Sequence, residues 1–161
     1  MKTIIAALDF SNATPIVLEM ATKLATSLGA KLHLFHAVEQ APSYSIYGYA
    51  LEEFPAMHLY QEEALIRAKH QLDELLTGVK IKLPASVCQV LLGDPVHSLL
   101  DYAKQIQADL VVLGTHGHGA LASLLLGSVA EGLVRKALVP ILVVPARQPM
   151  DSEVKTSTPE I

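Results

Sequence analysis

Short uninterrupted apolar runs alternate along the chain with longer segments in which apolar residues return every three or four positions. Thr3 to Leu8 (TIIAAL), Lys31 to Val38 (KLHLFHAV), about Ser86 to Leu92, Leu110 to Gly114 (LVVLG) and Ile141 to Val144 (ILVV) read as five strands. A continuous apolar run is what a strand covered on both faces requires. Between the first two, Thr14 as N-cap with Pro15 at the first helical position starts a helix that carries Met20, Leu24 and Leu28 on one face and stops at Gly29. Met57 to Thr77 places Leu65, Ala68, Leu72 and Leu75 together, with Glu62, Lys69, Asp73 and Glu74 off that face. Asp94-Pro95 caps a third helix reaching about Ile106, and Ser128 to Ala137 forms the fourth.

Strands separated by helices of this length imply right-handed crossovers and an α/β fold, with a parallel sheet covered by helices on both faces. Ligands of such sheets sit beyond the carboxyl ends of the strands, where the strand order reverses. Asp9, Ala37 to Glu39, Gly93-Asp94 and the glycine-rich segment after Gly114 occupy those positions. The connection from Glu39 to Ala56, with Pro42, Tyr44, Tyr47, Gly48, Tyr49 and Pro55, is longer than usual and reads as a functional flap or as a variable surface loop. The expected organisation is one domain over residues 1–146 and a flexible tail over 147–161, which has no apolar periodicity.

Composition narrows the partners. The 161 residues are 51% hydrophobic and 17% charged, with formal net charge -4 and no block of like charge, which argues against nucleic acid and anionic membrane. No apolar run approaches the roughly 18 residues of a membrane span. Cys88 is the single cysteine and has no intramolecular partner for a disulfide, and the residues before Asp9 are too few for a signal-peptide core, so a cytoplasmic protein is expected.

The segment GTHGHGALASLLLGSVAE, from Gly114 to Glu131, holds the candidate chemistry. Gly127 and Gly132 have the Walker A separation, but Leu133-Val134 replace the required Lys-Ser/Thr; Gly114-x-x-Gly117-x-Gly119 is not the dinucleotide fingerprint, and no G-x-S-x-G elbow occurs. Ser128-Val129-Ala130-Glu131 has the S-x-x-E form of a capping box, which puts Gly127 just before a helix whose first amides and dipole favour an anion. Glycine at 114, 117 and 127 admits a close ligand and positive φ.

The spacing Gly114-x2-Gly117-x9-Gly127-Ser128 resembles the adenine-nucleotide motif of the universal stress protein family, G-x2-G-x9-G-(S/T). Agreement extends to Asp9-Phe10-Ser11, the Gly93-Asp94-Pro95 turn, the leucines before Gly127 and Pro140-Ile-Leu-Val-Val, covering about Lys2 to Pro145. The resemblance implies an open five-stranded parallel sheet of order 3-2-1-4-5. It implies ATP or another adenine nucleotide as ligand, with Ala7 and Asp9 at the nucleoside and the main chain near Ala37 lining the adenine pocket. Gly114, His116 and Gly117 would approach the ribose and first phosphate, and Gly127, Ser128 and Val129 would hold the phosphate chain. It also implies a homodimer in which Ile141 to Val144, a short apolar edge strand, meets its copy.

The segment from His118 to Leu126 contains no Lys or Arg, so either a divalent ion such as Mg or Mn accompanies the phosphates or the ligand carries fewer of them. His116 and His118, even with His97, lack the further ligands a stable transition-metal site needs, and no metal ligand is assigned. His33 and His36 are expected as one packed and one partly exposed side chain. No nucleophile, positioned base and transition-state cation converge, so a binding, stress-response role without fast turnover is expected. The alternatives are a slow ATP-hydrolysing or nucleotidyl-transfer enzyme and a nucleotide-free partner-binding module.

Overall fold

The computed structural model describes residues 1–40, 55–115 and 126–145. In chain order the elements are β1 (Thr3–Ala7), α1 (Thr14–Leu28), β2 (Lys31–Val38), α2 (Pro55–Lys80), β3 (Val87–Leu92), α3 (Pro95–Gln105), β4 (Leu110–Gly114), α4 (Ser128–Lys136) and β5 (Ile141–Val144). The five strands form one sheet in the order β3-β2-β1-β4-β5, every neighbouring pair parallel. The chain winds outward from β1 to β3, then crosses back to β4, so the order reverses beside β1.

Alternate side chains leave the sheet on opposite faces. Ile4, Ala6, Leu34 and Val112 pack in one apolar layer with Val17 and Ala21 of α1 and Leu72 and Leu76 of α2. Ile5, Phe35, Val111 and Leu113 pack in the other with Leu99 and Tyr102 of α3 and Ala130 and Leu133 of α4. At the amino ends of the strands, Asp109 Oδ2 accepts from the amides of Lys2 at 2.6 Å and Thr3 at 2.9 Å, fastening β1 to β4. Those two bonds hold the carboxyl below its ordinary pKa.

Several boundaries and faces differ from the expectation. β1 ends at Ala7 and β3 begins at Val87 rather than Ser86; α2 runs from Pro55 to Lys80, beyond the expected Met57 to Thr77; α3 and α4 each stop one residue earlier, at Gln105 and Lys136. Thr14 is not the N-cap. Ala13 stands there, already at helical φ and ψ, and gives no side-chain bond. Thr14 therefore lies inside the first turn, its hydroxyl buried with no hydrogen-bond partner among the described residues, while Ser11 Oγ accepts from the Ala13 amide. The buried stripe of α1 is Val17, Ala21 and Ala25; Met20 and Leu28 are 37% and 48% exposed. Small residues on the inner stripe let the helix approach the sheet, which the larger apolar side chains would have prevented. Gly29 closes α1 in the left-handed region, φ 60, and its amide bonds Thr26 O. Among the described residues no helix is long and apolar enough to cross a membrane.

Candidate functional site

A cleft of about 660 Å³ opens beyond the carboxyl ends of β1, β2 and β4, where the strand order reverses. Ala7 and Asp9 line it from the end of β1, Ala37 from β2, Gly114 from β4, and Gly127, Ser128 and Val129 from the start of α4. Residues more than a hundred positions apart thus face one space. His116, Gly117 and His118 lie outside the described residues, as do most of the Glu39 to Ala56 connection and the tail from residue 146.

The chain leaves β1 by a sharp turn. Asp9 Oδ1 accepts from the Ser11 amide at 3.0 Å and from the Ser11 hydroxyl at 2.6 Å, while Phe10 takes φ 59, rare for a residue with a side chain. Asp9 is therefore a turn residue and a cleft-lining residue together. Its other carboxylate oxygen makes no hydrogen bond among the described residues, leaving it able to accept from a ligand hydroxyl.

At the other side, the Thr115 amide bonds the Val144 carbonyl at 2.9 Å, and the Gly127 amide bonds the Thr115 carbonyl at 2.8 Å. The start of α4 is thereby tied to the end of β4. Gly127 is the N-cap, with φ -63 and ψ 155, so the expected positive φ is not used there. The capping box is absent as well: Ser128 is the first helical residue, one place too late for its hydroxyl to cap, and Glu131 Oε1 accepts from Arg135 at 2.7 Å. Amides of Ser128, Val129 and Ala130 make no hydrogen bond among the described residues, and they crown the helix end where its dipole favours negative charge.

Among the lining residues not singled out for the site from the sequence are Phe10, His36 and Arg67. His36 Nδ1 lies 2.7 Å from the Leu8 carbonyl, and its ring is 4.4 Å from that of Phe10, centre to centre. Burial pushes its pKa down, partly offset by the Leu8 bond and the Asp9 charge. His33 is the packed histidine of the pair and His36 the partly exposed one, as expected. Arg67 reaches the cleft from α2, a long way along the chain from the glycine motif. Only the strand parity of His36 could have hinted at this; nothing local marks Arg67.

Among the described residues no group of three or more His, Cys, Asp and Glu side chains could hold a metal ion. His97 is engaged instead with Asp94, whose Oδ1 caps α3 by accepting from the His97 amide at 2.8 Å and lies 2.8 Å from His97 Nδ1.

The family model described as the universal stress protein family matches residues 1–145. A universal stress protein of Thermus aquaticus is 35% identical over 149 residues, covering 89% of this chain and 98% of its own. Among solved structures, universal stress protein UspA from Lactobacillus plantarum superposes with TM-score 0.78 at 24% identity, over 89% of this chain and 97% of the other. An Arabidopsis thaliana protein of the family, solved with AMP bound, superposes with TM-score 0.59 at 18% identity, over 94% of this chain and 97% of the other.

Proposed function

This chain belongs to the universal stress protein family, and from that premise we propose that it is a regulatory protein binding an adenine nucleotide in the cleft. The observation that carries the reading is the convergence of Ala7, Asp9 and Ala37 with Gly114, Gly127, Ser128 and Val129 around one space. The base lies at the ends of β1 and β2, the ribose hydroxyls at the Asp9 carboxylate, and the phosphate against the amides of Ser128 to Ala130. Charge-assisted bonds of this type contribute about 1.5–3 kcal/mol each, enough in combination for micromolar affinity. The AMP-bound Arabidopsis relative supports the ligand class.

The lining charges favour few phosphates. Asp9 and Glu39 oppose an anion, and Arg67 is the cation among the described lining residues. A monophosphate needs less compensation here than a triphosphate, for which a divalent ion would supply the missing charge. Two copies of the chain meet along β5, whose single described neighbour in the sheet is β4; no other described strand pairs with its outer edge.

Native mass spectrometry of freshly purified protein tests the ligand class. A mass increment equal to an adenine nucleotide, removed by dialysis, is expected; a different co-purifying small molecule that AMP cannot displace would overturn the reading.

A further inference from the structure

The cleft straddles the carboxyl edge of the sheet, so its wall comes from both faces. Ala7, Ala37, Leu99, Leu113, Val129 and Ala130 line it from the apolar layer beneath α3 and α4. Ala7, Ala37 and Val129, proposed above to hold the nucleotide, are on that side. Leu8, Phe10, Ala13 and Val17 line the same cleft from the opposite layer, beneath α1 and α2. Ala64, Arg67, Ala68 and Gln71 continue this second wall along one face of α2, at spacings of three and four residues. At about 660 Å³ the cleft exceeds twice the ~300 Å³ at which small-molecule pockets begin, large enough for a second small ligand beside the first.

The α1–α2 side is apolar with few polar groups, the usual make-up of a small-molecule pocket. Phe10, Val17, Ala64 and Ala68 supply the apolar surface, and the two alanines leave space that longer side chains would fill. Thr14 lines the cleft at 7% exposure, and its hydroxyl is buried with no hydrogen-bond partner among the described residues. A buried hydroxyl left unpaired is destabilising, and a bound acceptor relieves it. Among the described lining residues of α1 and α2, Arg67 alone is charged. Its Nη1 lies 3.4 Å from Glu63 Oε2 and its guanidinium 6.0 Å from the centre of the Tyr60 ring. Both are long contacts of an exposed side chain, weaker than a bidentate bond to a ligand carboxylate. Asp9 and Glu39 line the cleft as well, so a single negative charge suits it better than a dianion.

We propose that the α1–α2 side of the cleft is a second ligand site, for a small monocarboxylic acid with an apolar chain. The chain lies among Phe10, Val17, Ala64 and Ala68, the carboxylate meets the Arg67 guanidinium, and one of its remaining acceptor positions serves the Thr14 hydroxyl. The site is distinct from that of the nucleotide and stands whether or not a nucleotide binds.

Titration of hexanoate into ¹⁵N-labelled protein, followed by NMR, locates the ligand. The amides of Thr14, Val17, Ala64 and Ala68 are expected to shift with a dissociation constant below about 1 mM, with or without saturating AMP. Hexanol, which has the same chain and no charge, is expected to need concentrations about tenfold higher. Arg67→Gln and Thr14→Val, each with a folded spectrum, are expected to weaken hexanoate at least about fivefold. Absence of these shifts up to about 10 mM hexanoate, its displacement by AMP, equal binding of hexanol, or unchanged affinity in either variant overturns the second site. Failure of AMP to bind while hexanoate still shifts the same amides counts against the nucleotide reading alone.

Discussion

Gly132 of α4 lies so close to Val96 of α3 that a Cβ built on the glycine would stand 2.9 Å from Val96 Cγ2. Glycine inside a helix ordinarily costs about 1 kcal/mol relative to alanine. Here the missing side chain is what lets α4 dock on α3, and the docking sets where the amides of Ser128 to Ala130 point. Gly132→Ala is expected to destabilise the fold by about 1–2 kcal/mol, overpacking outweighing the gain in helix propensity. Adding Val96→Ala should recover much of that loss in a double-mutant cycle measured by urea unfolding. A Gly132→Ala protein more stable than wild type would refute the tight contact.

His33 is buried against α3, its Nδ1 2.8 Å from the Tyr102 hydroxyl, and burial lowers its pKa; His36 is shifted the same way by its own burial. A depressed histidine pKa means the unfolded chain binds the proton more readily. The contribution of both rings to stability is therefore complete above the unfolded value of about 6.5 and is lost as pH falls through the folded values. Thermal melts should show the midpoint dropping below that pH, and less steeply in His33→Gln. A flat profile between neutral and mildly acidic pH would show that the rings are not held neutral.

Cys88 on β3 donates its thiol hydrogen to Asp73 Oδ1 of α2 at 3.1 Å. Burial first, then that bond and the Asp73 charge, push the thiol up to about 11. Little thiolate exists at neutral pH, so alkylation by iodoacetamide should be much slower than for a free cysteine of pKa roughly 8.5. Asp73→Asn should speed it. Modification at the rate of a free thiol would contradict the environment described.

Ile141, Leu142 and Val143 on β5 are only partly buried, and Leu138 just before it is 98% exposed. An apolar edge of this kind favours pairing with a second copy. Light scattering at micromolar concentration should report twice the 17.3 kDa chain mass. A species of the single-chain mass throughout that range would exclude the dimer.

The order of elements was readable from the sequence because continuous apolar runs and helical spacing differ over whole segments, and Leu110 to Gly114 and Ile141 to Val144 were delimited to the residue. Finer features were not. The S-x-x-E pattern at Ser128 names a cap only when Ser occupies the cap position, and a shift of one residue, fixed by the bonds of Gly127 to Thr115, removes it. On α1 the larger apolar residues suggested the wrong face, because close approach to the sheet selects Ala21 and Ala25 over Met20 and Leu28. Among the described cleft residues, Asp9, Ala37 and Gly114 were legible as positions at strand ends and Gly127 as the residue before a helix. His36 and Arg67 were not, since their place depends on β1 ending early and on α2 folding back over β2, relationships that no local pattern encodes.

In the proposed complex a nucleotide phosphate lies against Gly127 at the head of α4. Gly127 has a φ open to any residue, so Gly127→Val should fold normally, and its side chain should obstruct the ligand alone. Calorimetric titration of AMP into wild type and Gly127→Val, with thermal melts of both, is the direct measurement. The expected result is roughly micromolar affinity for wild type and a loss of at least about tenfold in a variant of unchanged melting temperature. A folded Gly127→Val protein that binds AMP as tightly as wild type would place the phosphate elsewhere.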